Sequence, residues 1–315
     1  MRYLTSILFF ILFGTPEIFG QCCAAGNPIG GDGLHESLTK NQLRVYSLYR
    51  HSLSKDYFFE NKKIEVNELQ KSFYDFINMG FSFGVTERFT VVSDVGYFIT
   101  KKQELLINNN EINILAQGFG DLNLAVRYSP IRDLLNFSQL SISLGTKIPV
   151  GNFNETQNGV VIPISLQPSS GALKYNLGVF YGINSKDKKF GFSSLAFAEF
   201  SNQINKDFLV YKYGNYFQLS LSGTFLLKNK FLFITNLKYE YRTNDQRENN
   251  QEIESTGGTA IFLSPQIQIE LVPTWVLAAN YELPIYKNVN GYQLTNKLAF
   301  SLGIIKNFKH FGIRN

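Results

Sequence analysis

The stretch Phe231 to Arg242 changes side-chain chemistry residue by residue. Phe231, Phe233, Leu237, Tyr239 and Tyr241 share one parity, and Asn236, Lys238, Glu240 and Arg242 share the other. A period of two places such sets on opposite sides of a β-strand, whereas a helix would mix them. The pattern recurs along the chain. Leu122, Leu124, Val126 and Tyr128 oppose Asn123 and Arg127. Leu140, Ile142, Leu144 and Ile148 oppose Ser141, Ser143 and Lys147. Phe217, Leu219, Leu221 and Phe225 oppose Gln218, Ser220, Ser222 and Thr224. About twelve such segments follow one another over residues 41–308. Those near 41–54, 70–84, 88–101 and 189–201 are less regular, with polar or bulky residues on both parities.

Alternation alone leaves two readings open. In a water-soluble sandwich the apolar parity faces a core; in a transmembrane barrel it faces lipid and the polar parity faces the lumen. Export, segment length and aromatic content favour the barrel. Met1-Arg2-Tyr3 precedes the apolar run Leu4 to Phe13, and Gly14, Thr15 and Pro16 follow. This is the layout of a secretory signal, too short to span a bilayer as a helix. Cleavage is expected after Gly20, making 1–20 a signal peptide. Twelve-residue strands at about 3.3 Å per residue, tilted some 40°, cross roughly 30 Å, which matches a bilayer core. The chain holds 29 Phe and 17 Tyr but only 17% charged residues, with a mean hydropathy of −0.09. One apolar run excludes a bundle of membrane helices, and the apolar content excludes disorder. The net charge of +5 is scattered, so no nucleic-acid partner is expected.

The connections set the orientation. Short ones with turn chemistry, such as 84–88, 184–188, 228–230 and 272–274, alternate with long ones near 55–69, 102–117, 150–171, 202–214 and 244–257. Outer-membrane barrels have short periplasmic turns and longer outer loops, so the N-terminus is expected in the periplasm of a Gram-negative cell. Segment 21–40 carries Gly26, Gly30, Gly31 and Gly33 and reads equally as a lumen plug or a loose tail. Its Cys22 and Cys23 read as a small N-terminal cap. The last strand, Leu298 to Phe308, ends alternating hydrophobics on Phe, like the signal read by the outer-membrane assembly machinery. A tail, 309–315, follows it. Lys306 falls on the lipid parity, where it can snorkel to the interface.

Three stretches belong together: Gly118-Phe119-Gly120-Asp121-Leu122, Gly145-Thr146-Lys147-Ile148-Pro149-Val150-Gly151, and Gln167-Pro168-Ser169-Ser170-Gly171. Their order resembles the outer-membrane family named for the meta-pathway of phenol degradation (MetA). Cys22-Cys23-Ala24-Ala25-Gly26 and Glu282-Leu283-Pro284-Ile285-Tyr286 look like its Bacteroidetes members. The resemblance implies a β-barrel that takes up small, often apolar molecules. Gly118, Gly120, Asp121, Pro149, Gly151 and Gly171 read either as loop anchors or as substrate contacts.

Three histidines, His35, His51 and His310, fall on no shared strand, and no nucleotide, phosphate or zinc motif is present. No catalytic activity, cofactor or metal is expected. The functional candidates are charges on the inward parity: Asp94, Arg127, Lys147, Lys174, Glu199, Lys238, Glu240, Arg242, Glu270, Glu282 and Lys297. They either line a wet pore or pair across strands. The fold expected is an all-β, antiparallel up-and-down transmembrane barrel. The function expected is passive uptake of small, hydrophobic or aromatic molecules across the outer-membrane bilayer. The alternative is a structural or surface-interaction barrel with a closed lumen. Loop 150–171, with Val160, Val161, Ile162 and Ile164, separates the two. A channel predicts lost permeability on its deletion, and an interaction barrel predicts lost binding only.

Overall fold

The computed structural model describes residues 36–66, 69–107, 110–133, 138–206, 209–228 and 230–308. The expected signal peptide, most of segment 21–40 and the tail 309–315 lie outside them. In chain order the strands are β1 (Leu43–Glu60), β2 (Lys62–Ile64), β3 (Leu69–Gly84), β4 (Phe89–Ile107), β5 (Asn110–Asp133) and β6 (Ser138–Ile148). Then come β7 (Thr156–Gln157), β8 (Val160–Val161), β9 (Lys174–Asn184), β10 (Phe190–Ser201), β11 (Ile204–Lys206) and β12 (Leu209–Tyr211). The chain ends with β13 (Tyr216–Leu227), β14 (Phe231–Arg242), β15 (Gly258–Val272) and β16 (Trp275–Phe308).

Each long strand pairs antiparallel with its neighbours in the order β1-β3-β4-β5-β6-β9-β10-β13-β14-β15-β16, and β16 returns to β1. β16 is two staves in one. Its arm 275–289 pairs with β15, and its arm 292–308 pairs with β1. The reversal falls at Asn290-Gly291, where Gly291 has φ 63°, a left-handed value that glycine adopts without strain. Counting both arms gives twelve staves. Closure leaves no unpaired edge for lipid to meet, which is what a bilayer-spanning sheet requires.

Burial is inverted relative to a soluble protein. Leu144, Met79 and Phe119 are 63%, 58% and 56% exposed, while Thr90, Ser129, Ser141 and Ser301 are almost completely buried. The apolar parity faces outward and the polar parity faces the lumen, so the alternation is that of a transmembrane barrel. Aromatic pairs mark both rims of the apolar belt. Phe89–Tyr128 and Phe190–Phe225 flank the short turns, and Tyr97–Phe119 and Phe200–Phe217 lie towards the long loops. Lys306 does reach the rim, where Nζ donates to Thr274 Oγ1 at 2.8 Å and lies 4.6 Å from the Trp275 ring centroid.

The outer rim is oblique, and this corrects two of the expected loops. β6, β9, β10, β13 and β14 have 11 or 12 residues. β1, β3, β4 and β5 have 18, 16, 19 and 24. Residues 102–107 and 110–117 form a continuing ribbon, paired from Lys101↔Ala116 to Ile107↔Asn110. Residues 55–60 likewise extend β1, and β2 folds back on them. Above the apolar belt one face of the ribbon packs on the chain, Ile114 and Ala116 meeting Ile162 and Leu166, while Lys102 pairs with Glu104 on the other, so its residues carry both loop and strand chemistry. The remaining long connections rise from the low side and lean towards this wall.

Candidate functional site

The lumen has chemically distinct walls. On β1, β3 and β4 the inward parity presents aromatic rings: Tyr46, Tyr74, Phe76 and Phe98. Phe76 and Phe98 have centroids 4.6 Å apart, and Tyr74 meets Phe98 edge-on at 5.7 Å. Two glycines make room. A Cβ on Gly96 would lie 1.9 Å from the Phe76 ring, and one on Gly80 would lie 2.7 Å from the Tyr46 phenol. These rings lie in the segments whose alternation is untidy in sequence.

The charged residues occupy two other walls. Lys147 on β6 and Lys174 on β9 both face Glu199 on β10, at 2.5 and 3.6 Å. Lys174 also lies 4.4 Å from the Tyr213 ring centroid. On the second wall Lys238 bridges Glu240 at 2.7 Å and Glu282 at 2.8 Å. Glu282 in turn holds Arg50 at 2.8 Å. Arg50 Nε donates to the Tyr74 hydroxyl at 3.1 Å and joins this cluster to the aromatic wall. Each of these ion pairs links strands no more than two places apart. The pairs staple walls rather than bridge the lumen.

The other candidates have separate fates. Asp94 accepts from Asn123 Nδ2 at 2.8 Å. Arg127 reaches the Glu36 carbonyl at 2.6 Å. Arg242 lies over the Tyr216 ring at 5.6 Å. Glu270 is not in the lumen interior: it is exposed at the short-turn end, where its Oε1 accepts the Thr274 N–H. Lys297 is exposed as well. β1 and β16 shift register between Leu53↔Leu298 and Ser54↔Asn296, so the bulge hands the inward place to Asn296 and turns Lys297 out. Arg44 and Arg50, both buried, were missed because Tyr46 and Leu48 share their inward parity. His51 points to the lipid side, with Nδ1 2.8 Å from Asp75 Oδ1, while Ser52 and Ser54 point inward.

The three sequence motifs converge at the outer mouth. Asp121 on β5 accepts from Ser169 Oγ at 2.7 Å, Ser170 N at 2.9 Å and Ser170 Oγ at 2.5 Å. Gly151 lies so close to β5 that a Cβ would sit 1.7 Å from the Phe119 carbonyl. Gly171, at φ 67°, seats its backbone against the Phe153 ring. Gly118, at φ 141°, and Gly120 face Pro168. Pro149 is the first residue after β6, where the sheet needs no N–H from it. Connection 149–173 is thus bolted to the tall wall. Ile162 and Leu166 are buried against Ala116, whereas Val160 and Val161 stay exposed at the tip. A second cluster, Phe153, Ala172, Ile204 and Tyr211, ties this connection to its neighbour 202–215. Asp245, fully buried, accepts from the Tyr211 hydroxyl and from Gly214 N, and fastens connection 243–257 to the same cap.

Asp121→Ala removes three charge-assisted hydrogen bonds. Cleavage of the folded barrel after Glu155 by a Glu-specific protease is expected to accelerate about tenfold or more, because such bonds contribute roughly 1.5–3 kcal/mol each and local opening governs proteolysis. Unchanged cleavage would mean that apolar packing alone holds the connection.

At the opposite mouth the chain turns inward before β1. Ser37 and Leu38 are 3% and 2% exposed. Leu38 N donates to Thr90 Oγ1 at 2.9 Å, and Ser129 Oγ donates to Ser37 Oγ at 2.5 Å. The last residues of segment 21–40 therefore sit inside the short-turn end of the lumen.

No family model and no curated protein sequence matches the chain. Solved structures do. An outer membrane channel from Pseudomonas putida F1 is similar at a TM-score of 0.71 and 13% identity, over 88% of this chain and 99% of that one. The NanC porin (TM-score 0.49, 13% identity, 84% of this chain and 98% of that one) and the KdgM porin (0.45, 9%, 84% and 99%) also match. At these identities the first likeness shows the fold. A closed barrel with an inverted burial pattern and an apolar belt belongs in a Gram-negative outer membrane.

Proposed function

We propose that this barrel is a passive outer-membrane channel for small apolar or amphipathic molecules, aromatic ones among them. The observation that carries this reading is the divided lumen: an aromatic strip on β1, β3 and β4 faces walls whose charges are paired along the wall. A path that offers several weak contacts lets a solute enter and leave, as conduction requires. Aromatic side chains supply apolar contact for such a solute, and the polar walls keep the rest wet. The family resemblance of the three motifs points the same way, as does the channel that shares the fold. Export by residues 1–20 and insertion through the last strand by the assembly machinery complete the reading.

The experiment is single-channel recording of the refolded chain in a planar bilayer, with benzyl alcohol added to one side. Discrete openings that benzyl alcohol shortens are expected. Silence, together with no aromatic flux into lipopolysaccharide-containing vesicles, would overturn the channel. The second reading, a surface-interaction barrel, has its own support in the packed outer cap and the exposed Val160 and Val161. In that case deleting 150–171 abolishes partner binding and leaves permeability unchanged.

A further inference from the structure

Arg44 and Arg127 place positive charge at the inner mouth that the described residues leave without a counter-ion. Arg44 is only 9% exposed, and Arg127 6%. Arg44 Nε donates to Asn307 Oδ1 at 2.9 Å, but its Nη1 has no hydrogen-bond partner. Arg127 Nη1 is satisfied by a neutral acceptor, the Glu36 carbonyl. The two guanidinium groups repel one another, and both feel attraction from the Glu36 carboxylate without pairing with it. Among the described residues no carboxylate lies within ion-pair distance of either. A buried cation without a partner costs several kcal/mol, so the arrangement favours an anion that arrives from outside the wall.

Space for one exists. A cavity of about 380 Å³ opens beside Arg44; Arg132 and Lys188 line it together with Glu36 and Asp133, Gln139 and Phe180 close it, and Arg127 lies outside the lining. Phe180 is buried on the inward parity of β9. Arg44 itself is two residues from Tyr46 on the same face of β1, so the aromatic strip leads down to a guanidinium that has a neutral partner, Asn307, and an Nη1 without one. Arginine presents a planar fork that fits a carboxylate, and a ring beside it fits an apolar body. Higher in the lumen, the paired cations also outnumber the carboxylates that hold them.

We propose that the inner-mouth cavity is an anion subsite for the carboxylate of a small aromatic acid, with Arg44 as the principal donor, Arg127 as the supporting charge and Phe180 against the ring. The assignment rests on the channel reading for the direction of travel and deepens it by naming the substrate class. Binding itself is independent of conduction.

Saturation-transfer NMR on the refolded full chain in detergent tests it, with benzoate as the probe and benzyl alcohol as its uncharged counterpart. Benzoate is expected to bind more tightly than benzyl alcohol. Arg44→Gln is expected to weaken benzoate about tenfold or more, the scale of one lost charge-assisted bond, and to leave benzyl alcohol unchanged. Arg44→Lys keeps the charge without the fork and is expected to fall between. Arg127→Gln gives a second reading should Arg44→Gln fail to show the heat-modifiable mobility of a folded barrel. Equal affinity for the two probes, or benzoate binding indifferent to both arginines, overturns the subsite. Displacement of benzoate by an equal concentration of inorganic phosphate overturns the aromatic-acid class and leaves a simple phosphate site. If benzoate binds as expected but no current or flux appears in bilayers, the channel reading fails and the subsite stands.

Discussion

Glu282→Gln is expected to lower the unfolding free energy of the barrel by roughly 3–5 kcal/mol, the cost of leaving buried charges without their partner. Glu282 is 4% exposed and accepts from two cations, Arg50 Nη2 and Lys238 Nζ, each at 2.8 Å. The amide can accept from one of them but carries no charge, so Arg50 loses its ion pair and Lys238 keeps the one with Glu240. The neighbouring Glu240 meets Lys238 at 2.7 Å, and Glu240→Gln, which leaves Lys238 its bridge to Glu282, is expected to cost clearly less. Urea titration in phospholipid vesicles measures both, with the single tryptophan, Trp275 at the inner rim, as the fluorescent reporter. Equal losses in the two variants would mean that Glu282 does not bridge two walls. A loss below about 1 kcal/mol would mean that water reaches the cluster and screens it, as at a protein surface.

The bridge also shows where sequence reading succeeds and where it stops. Glu282 and Lys238 were legible as lumen residues because β14 and the first arm of β16 keep strict alternation: Lys238 and Glu240 against Tyr239 and Tyr241, Glu282 against Tyr281 and Leu283. Arg50 was not, because β1 carries Tyr46 and Leu48 inward and Tyr49 outward. When the lumen wall is itself aromatic, parity no longer separates lipid from lumen. Three of the four untidy segments, 41–54, 70–84 and 88–101, therefore build the aromatic strip, and the fourth, 189–201, is β10. Lys297 failed for a different reason: one bulge reverses every face beyond it, and nothing in the residues Leu294 to Leu298 announces it. The ribbon at 102–117 was read as a loop because Lys101, Lys102, Glu104 and the asparagines at 108–110 carry loop chemistry, yet pairing with a partner strand needs only backbone. The three glycine-bearing motifs were legible as a set. Their convergence on Asp121 was not, since it depends on a connection that folds back across the mouth.

Removing residues 21–40 is expected to raise single-channel conductance several-fold relative to the chain that keeps them, the largest change that any segment should produce at the inner mouth. Ser37 and Leu38 fill space between β4, β5 and β6, and Arg127 and Arg132 donate to the carbonyls of Glu36 and Leu38. Every one of these contacts is a hydrogen bond to a side chain at the lumen surface, a mode of attachment that opens at lower cost than a packed core. Gly84→Ala tests the same point without shortening the chain. A Cβ at Gly84 would lie 1.9 Å from the Thr39 carbonyl, so the segment must leave its seat while β3 keeps its own pairing. The substitution is expected to reproduce most of the deletion's gain and to preserve heat-modifiable mobility. If the deletion enlarges the openings and Gly84→Ala does not, the block lies in residues before Glu36 and those after it are only a tether. If neither changes conductance, the narrowest point lies at the outer cap, where Asp121 and Asp245 hold the connections together, and the inner segment serves to seat β1.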